Sequence, residues 1–317
     1  MNNISNIPSV DLNDFLSEDP SRKAQFVKEL GEAYEEIGFA AVTNHRINDD
    51  LIKRLYDQIE LFFDLPESVK SKYISENAGQ RGFTSFGKEH AKDSTKGDLK
   101  EFWHFGQILD KDDPLNKEYP LNIFCDELPD FNKAGLEAYA TFENTGKVIL
   151  SALAIYLNLD ENYFDQWVDR GNSILRPIYY PALKGEPKGA VRAGAHEDIN
   201  LITLLVGASA EGLEVLHRDG TWIKAKPSPD QIVVNVGDML QRLTNNKLRS
   251  TTHRVVNPPK ELWGTPRYSV PFFLHPQSAM SLNCLDNCID ENHPKQYDDI
   301  SAGDYLNKRL EEIGLKK

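Results

Sequence analysis

Two histidines and one aspartate have the residue types and spacing that non-haem iron chemistry needs. His196-Glu197-Asp198 is followed much later in the chain by His253. Two imidazoles and one carboxylate on one side of an Fe(II) ion leave the opposite positions open for substrate and oxygen. Residues two apart on an extended strand project to the same face, so Asp198, and not Glu197, is the expected partner of His196. We therefore interpret His196, Asp198 and His253 as candidate metal ligands.

A second polar pair, in Arg267-Tyr268-Ser269, opens an apolar run that contains Phe273. Arg267 and Ser269 share one face of the predicted strand, and a guanidinium beside a hydroxyl can hold a carboxylate through charge-assisted hydrogen bonds. An arginine that leads into an apolar strand can also pair with a surface acid. Taken alone, the residues leave both a carboxylate site and a structural ion pair open.

Further motifs match one known family over most of the chain. The matches in the core are Tyr180-Pro181, His196-x-Asp198, Asn235-Val236-Gly237-Asp238, Thr244-Asn245-Asn246, His253-Arg254-Val255 and Arg267-x-Ser269. Residues 37–45 and 99–103 resemble two N-terminal signatures of the same family. On these motifs the chain resembles the Fe(II)/2-oxoglutarate-dependent dioxygenase superfamily, in the branch that contains isopenicillin N synthase and the plant-type hydroxylases.

The resemblance implies a fold and its organisation. We expect a mainly β core with flanking helices, folded as a double-stranded β-helix, that is, a jelly-roll or cupin-like barrel. Residues 121–317 would form the catalytic core with its supporting helices. Residues 1–120 would form a helical and strand region that packs on the barrel and is not an independent domain.

The resemblance also implies the roles of the candidate site residues. His196, Asp198 and His253 match the family's Fe(2+) ligands. Arg267 and Ser269 match the pair that binds the distal carboxylate of the cosubstrate 2-oxoglutarate, and Tyr180 matches a tyrosine that often assists them. The implied activity is oxidation of a small organic molecule by O2, through hydroxylation or desaturation, with release of succinate and CO2.

Two other functions stay open at this point. Isopenicillin N synthase has the same iron triad and an arginine-x-serine pair but uses no 2-oxoglutarate, so an oxidase of that kind is the first alternative. Ile178 stands where some 2-oxoglutarate users of this branch carry an asparagine, which is in keeping with this alternative. A barrel that binds metal and ligand without turnover is the second.

The candidate substrate contacts come from several segments. Arg81 and Phe83 follow a glycine in a segment rich in glycine and charge, where a loop could carry them to a pocket mouth. His104 follows two aromatic residues, and Phe273 lies in the strand that Arg267 opens. The identity of the substrate does not follow from these residues, because kinship of fold does not transfer substrate identity.

Bulk properties indicate a soluble cytoplasmic enzyme. The 317 residues carry a net charge of −13, whereas phosphate backbones attract clustered Lys and Arg, so no nucleic-acid partner is expected. We find neither an apolar stretch long enough to span a bilayer nor a targeting segment, so no membrane partner is expected. The cysteine number, three, is odd and does not suit a disulfide framework. We expect a monomer.

Local patterns predict several elements around the candidate site. Apolar residues at helical spacing predict helices over residues 21–37, 49–63, 133–157 and 302–313. A strand is expected over residues 39–43, a hairpin over 213–216 and 222–224, and a loop or lid over 77–98. His275, which precedes a proline, is expected to be exposed.

Overall fold

The computed structural model describes residues 6–75, 80–88, 97–187, 189–207 and 211–312. Within these ranges the helices are α1 (Leu12–Phe15), α2 (Pro20–Glu36), α3 (Asp49–Phe63), α4 (Glu67–Lys70), α5 (Pro129–Tyr156), α6 (Asp165–Val168), α7 (Asp238–Leu243) and α8 (Ala302–Glu312). The strands are β1 (Ser9–Asp11), β2 (Phe39–Thr43), β3 (Gly82–Thr84), β4 (Glu101–Gly106), β5 (Ile174–Leu175), β6 (Ile178–Tyr180), β7 (Ala193–His196), β8 (Ile202–Val206), β9 (Leu213–Leu216), β10 (Trp222–Lys224), β11 (Gln231–Val236), β12 (His253–Val255) and β13 (Arg267–Leu274).

Capping residues set the first helices and thereby place β2. The Asp19 carboxylate accepts a hydrogen bond from the Ser21 amide (2.8 Å) at the start of α2, and the Asn48 side chain accepts one from the Asp50 amide (2.7 Å) at the start of α3. Gly38 follows α2 with a φ of +72°, a conformation that glycine adopts without steric cost. The chain therefore turns directly from α2 into β2.

Two sheets form the walls of the barrel. The larger has nine strands, in the order β1-β2-β11-β8-β13-β5-β4-β3, with β6 paired to β13 and β4. The smaller has four strands, in the order β10-β9-β12-β7. Side chains from both sheets line one central cavity, so the architecture is the expected double-stranded β-helix with flanking helices.

Helix α5 supports the outer face of the larger sheet. Alternation along β13 points Phe272 outward, where its ring packs edge-on against Tyr139 of α5 with centroids 5.1 Å apart, and points Phe273 into the cavity. Gly146 allows the close approach, because a Cβ there would lie 2.3 Å from a methyl carbon of Leu274. The helix thus fixes the strand that begins with Arg267.

The N-terminal region contributes strands to the barrel wall itself. Strand β2 pairs with β11, and β4 pairs with β5 and β6. The division of the chain at residues 120 and 121, and the dependence of the N-terminal region on the barrel, stay predictions. None of the helices in the described ranges combines the length and the apolar character needed to cross a bilayer.

Several predicted elements are confirmed. The strand over 39–43, the helix over 49–63 and the hairpin formed by β9 and β10 have the expected bounds. Helices α2 and α5 begin earlier than predicted, because Pro20 and Pro129 occupy the first helical turn. The predicted lid over 77–98 lies partly outside the described residues, as does Ile313 in the predicted last helix; strand β3 occupies part of the lid segment.

Candidate active site

The three candidate ligands meet between the ends of strands. His196 ends β7 and His253 begins β12, and antiparallel pairing of these strands brings the two ring centroids within 4.4 Å of each other. Asp198 lies just beyond the end of β7. From the sequence, it was expected on the same strand as His196. Its Oδ1 is 3.8 Å from His196 Nε2, and its Oδ2 is 3.7 Å from His253 Nε2. Ligand atoms of all three residues lie within 4.8 Å of one another, so one cation could contact them all.

Backbone carbonyls orient the two imidazoles. His196 Nδ1 lies 2.7 Å from the Gly194 carbonyl oxygen, and His253 Nδ1 lies 3.1 Å from that of Thr251. Since a carbonyl can only accept, each Nδ1 carries the hydrogen of the neutral ring, and each Nε2 lone pair is left for a metal. Desolvation and the neighbouring His253 lower the pKa of His196 to about 4, which keeps this ring neutral at neutral pH.

The Asp198 carboxylate is held by two side chains of the larger sheet. Its Oδ2 accepts hydrogen bonds from Thr203 Oγ1 (2.7 Å) and Asn235 Nδ2 (2.8 Å). Burial raises the pKa of Asp198, but the two imidazoles and these hydrogen bonds outweigh burial, and the pKa is lowered from its ordinary value. Asp198 is therefore ionised and fixed in direction, as a metal ligand must be.

Asn235 and Thr203 belong to one row across four strands. Phe39 of β2 is paired with Asn235 of β11, Asn235 with Thr203 of β8, and Thr203 with Phe273 of β13. All four side chains line the cavity. The row therefore carries two polar groups that hold Asp198, with an aromatic ring at each end; the Phe39 ring packs edge-on against His253, with centroids 5.4 Å apart.

Arg267, Ser269 and Tyr180 line the same cavity as the candidate ligands. Arg267 is 1% exposed, and its register partner across β13 and β6 is Tyr180, whose ring centroid lies 4.9 Å from the guanidinium carbon. A second buried guanidinium, that of Arg192, lies 5.9 Å from the same ring, and burial together with Arg267 lowers the pKa of Arg192 to about 10. This concentration of positive charge favours an anionic ligand.

The candidate substrate contacts divide into two groups. Phe273 lines the cavity, and His104 lies behind the lining, where its Nε2 accepts a hydrogen bond (2.6 Å) from Nε of the lining residue Arg176. Arg81 and Phe83 are not among the lining residues. Both are buried, Arg81 donating to the Asn172 side chain (3.0 Å) and Phe83 packing against an aromatic ring of α3.

Other residues depart from or add to the expectations. His275 is buried and not exposed, and burial lowers its pKa to about 4. Thr203, Lys100 and Arg176 were not among the predicted site residues. The alternation that points Tyr180 and Ile178 into the cavity extends to Arg176, so the same period-two pattern could have found this residue.

Comparisons with known proteins agree with this geometry. Residues 7–127 match the family described as the non-haem dioxygenase in morphine synthesis N-terminal domain, and residues 171–276 match the 2OG-Fe(II) oxygenase superfamily. A proline hydroxylase from Petromyces alliaceus is 34% identical over 320 residues, which cover 96% of this chain and 98% of the relative.

Solved structures give the same result. A protein from Caulobacter crescentus described as a member of the 2OG-Fe(II) oxygenase family is 41% identical, with a TM-score of 0.90 over 98% of this chain and 99% of its own. A full-length Neurospora crassa protein, solved in complex with alpha-KG and thymine, is 31% identical, with a TM-score of 0.85 over 98% of both chains.

The fold and the metal-binding geometry together define a non-haem iron oxygenase. The chain belongs to the 2OG-Fe(II) oxygenase superfamily, whose profile matches its core. It is an Fe(II)- and 2-oxoglutarate-dependent dioxygenase that acts on a small molecule. These findings favour the first of the three functional hypotheses over the oxidase and over the non-catalytic barrel.

Proposed function

We propose that His196, Asp198 and His253 hold the Fe(II) ion, and that Arg267, Ser269 and Tyr180 hold the far carboxylate of 2-oxoglutarate while a small organic molecule is hydroxylated. One observation carries this assignment: all six residues line a single cavity.

The donor set fits the iron and the cosubstrate. Neutral imidazoles and an ionised carboxylate suit Fe(II), and the Arg267 fork suits a carboxylate, which guanidinium binds through two parallel N–H donors. When bound, iron and 2-oxoglutarate supply the oxidising power: O2 and 2-oxoglutarate give succinate and CO2, and one oxygen atom enters the substrate C–H bond. Desaturation would require only a different placement of the substrate.

The protein's own residues supply orientation and a dry surrounding. Thr203 and Asn235 keep Asp198 aimed at the imidazoles, and carbonyls keep Nε2 of each histidine aimed inward. Apolar side chains of both sheets, Leu205 and Pro271 on one side and Leu213 and Val255 on the other, line the remainder of the cavity. Such a lining limits the water that could divert the oxidation from the substrate.

Ile178 gives the cosubstrate pocket an apolar wall. It is paired with Ser269 and clusters with Phe102 and Tyr180. The amide that some members of the branch place here is absent from this position, so the far carboxylate depends on Arg267, Ser269 and Tyr180. This dependence makes Arg267 the residue whose loss should weaken 2-oxoglutarate binding most.

The remaining expectations are part of the same proposal. We infer a monomer in the cytoplasm, with a small-molecule substrate, O2 and 2-oxoglutarate as its partners and no nucleic acid. The net charge of −13 supports the exclusion of nucleic acid, because it opposes binding to phosphate backbones. A relative bound to thymine, which is a single base, supports a substrate of this size.

Oxygen consumption under two conditions tests the proposal. With Fe(II) and a set of small-molecule candidates, O2 uptake should require 2-oxoglutarate and should yield succinate in equal amount. Uptake that proceeds with substrate and without any keto acid would assign the chain to the isopenicillin N synthase-like alternative. Iron-loaded protein that forms no succinate over a broad set of candidates would favour the non-catalytic barrel.

A further inference from the structure

Arg176 occupies a wall of the cavity that the iron and cosubstrate assignments do not use. It lies in the link between β5 and β6, where its amide donates to the Pro271 carbonyl oxygen (2.9 Å). Its side chain lines the cavity together with those of Ile178 and Tyr180, which follow at alternate positions. The alternation thus places a second arginine in the cavity besides Arg267.

Three neighbours fix the direction of the Arg176 guanidinium. Its Nε donates to His104 Nε2 over 2.6 Å, which requires that this nitrogen carry no hydrogen. Its central carbon lies 4.5 Å from the ring centroid of Phe102 and 4.9 Å from that of Phe273. Stacking on aromatic rings and a fixed hydrogen bond restrict the rotamers of a long side chain, so less ordering is needed when a ligand binds.

The guanidinium lies at the metal end of the cavity. Its neighbour Phe273 is in register with Thr203, which holds the Asp198 carboxylate. Arg267 lies toward the other end of β13, four residues or ~13 Å at ~3.3 Å per residue from Pro271, whose carbonyl oxygen accepts the Arg176 amide. The Arg176 backbone therefore lies nearer to the row that holds Asp198 than to Arg267, on the side of the cavity where the substrate must present its C–H bond.

We propose that Arg176 binds and orients the substrate, and that the substrate is a small flat ring with a carbonyl or carboxylate oxygen. The guanidinium fork matches an sp² oxygen acceptor, and the Phe273 ring offers a flat ring an aromatic surface. His104 is a positioning residue that acts through Arg176. This inference rests on the proposed function, since it places the substrate next to the proposed iron ligands.

Calorimetric titration of the anaerobic Fe(II)- and 2-oxoglutarate-loaded protein tests the proposal. The probes are thymine, which carries ring carbonyls, and benzoate, which carries a carboxylate. At least one should bind to the wild type, and binding should weaken about tenfold or more in Arg176→Met, the loss of a hydrogen bond to a charged group. The probe that binds tells which oxygen the site prefers. In the same variant, the affinity for 2-oxoglutarate should change less than twofold.

Two variants of His104 separate positioning from a structural role. The amide oxygen of His104→Gln can accept from Arg176 Nε, whereas His104→Met offers no such acceptor. Probe affinity should stay close to the wild-type value in the glutamine variant and fall about threefold or more in the methionine variant, with 2-oxoglutarate affinity unchanged in both. A purely structural role would lower the unfolding temperature of the two variants without separating their probe affinities, and that result would overturn the role of His104.

The outcomes distinguish this inference from the proposed function. If the wild type binds 2-oxoglutarate but neither probe, or if a bound probe is unaffected by Arg176→Met, the inference is overturned and the proposed function stands. If Arg176→Met weakens 2-oxoglutarate as strongly as Arg267→Met does, Arg176 belongs to the cosubstrate site and the inference is again overturned. If iron-loaded wild type binds no 2-oxoglutarate, the proposed function itself fails.

Discussion

The two sheets of the barrel contribute differently to the candidate site. The smaller sheet carries both histidines on short strands, and the His196 side chain is 39% exposed. The larger sheet carries Arg267 and Ser269, both of them buried, on the longest strand described. Asp198 lies between the sheets in sequence and is held by side chains of the larger one.

This difference indicates a division of labour within one cavity. The exposed edge of the smaller sheet gives the metal a route to solvent, O2 and substrate, whereas the buried strands of the larger sheet shield the charge of the cosubstrate. We therefore expect that changes on the two sheets can be separated experimentally. Loss of a ligand should remove iron, and loss of the fork should remove 2-oxoglutarate while iron stays bound.

The largest effect is expected from Asp198→Ala. This change removes the one anionic ligand and leaves the Thr203 and Asn235 donors without their acceptor, so iron content after anaerobic loading should fall to background and succinate formation should be undetectable. Glu197→Ala is the matched control, because Glu197 accepts from Thr252 Oγ1 (3.2 Å) and is not part of the triad. Equal iron loss in both variants would contradict the assignment of Asp198.

Arg267→Met should give the next largest effect. Two charge-assisted hydrogen bonds to the far carboxylate would be lost, which corresponds to roughly 100-fold weaker 2-oxoglutarate binding. Iron content, measured on the same samples, should remain that of the wild type. Arg267→Lys keeps the positive charge but lacks the two parallel N–H donors. Its affinity for 2-oxoglutarate should lie between that of the wild type and that of Arg267→Met. If both substitutions released iron, the contributions of the two sheets to iron binding and to 2-oxoglutarate binding would not be separable.

Asn235→Ala should have a smaller effect on the metal. The Asp198 carboxylate would keep Thr203 but lose one of two orienting bonds, and groups that orient metal ligands are worth about 10- to 100-fold in metal affinity. Competition with a chelator gives the affinity. An unchanged value would show that the larger sheet does not contribute to the metal centre.

The smallest effect concerns stability and pH. His275 is buried after β13, with its Nδ1 3.1 Å from the Phe273 carbonyl oxygen, and burial lowers its pKa to about 4. Between this value and the unfolded value near 6.5, the unfolded state binds the extra proton, so the free energy of unfolding should fall as pH is lowered from 6.5 to 4, by about 1.4 kcal/mol per unit.

Chemical denaturation of wild type and His275→Gln across this pH range measures that contribution. The glutamine variant lacks the titrating group and should show a shallower fall with decreasing pH. Parallel curves for the two proteins would mean that His275 is protonated in the folded state. Iron-free protein should be used for both, so that metal release from the smaller sheet does not add to the slope.

Local patterns predicted the elements well, and pairings between distant segments were harder to predict. The bounds of β2 and α3 follow from apolar periodicity and from breakers such as Gly38 that lie in the sequence itself. Phe83 was expected in a loop, but it lies in β3, which pairs with β4, and its ring is buried in the core. His275 is buried for a similar reason, because the residues that pack over it belong to segments far away in the chain.

In the candidate site, too, some residues could be predicted from local sequence and others depended on pairings between distant segments. The ligands and the fork were found because few residue types can do their chemistry and because the family motifs contain them. Asn235 lay within a recognised motif, but its role required the register that joins β11 to β8. Arg176 was not among the predicted site residues, although it lies at the next alternate position before Ile178. Its importance depends on His104 and Phe273, which only the folded barrel brings to it.

The absorption spectrum of the anaerobic protein tests the central claim most directly. Wild type loaded with Fe(II) should develop a visible metal-to-ligand charge-transfer band that saturates as 2-oxoglutarate is added. The band should be absent from His253→Ala and should require far more 2-oxoglutarate in Arg267→Met. A wild-type protein with full iron content and no band, or a band that persists unchanged in His253→Ala, would contradict the account.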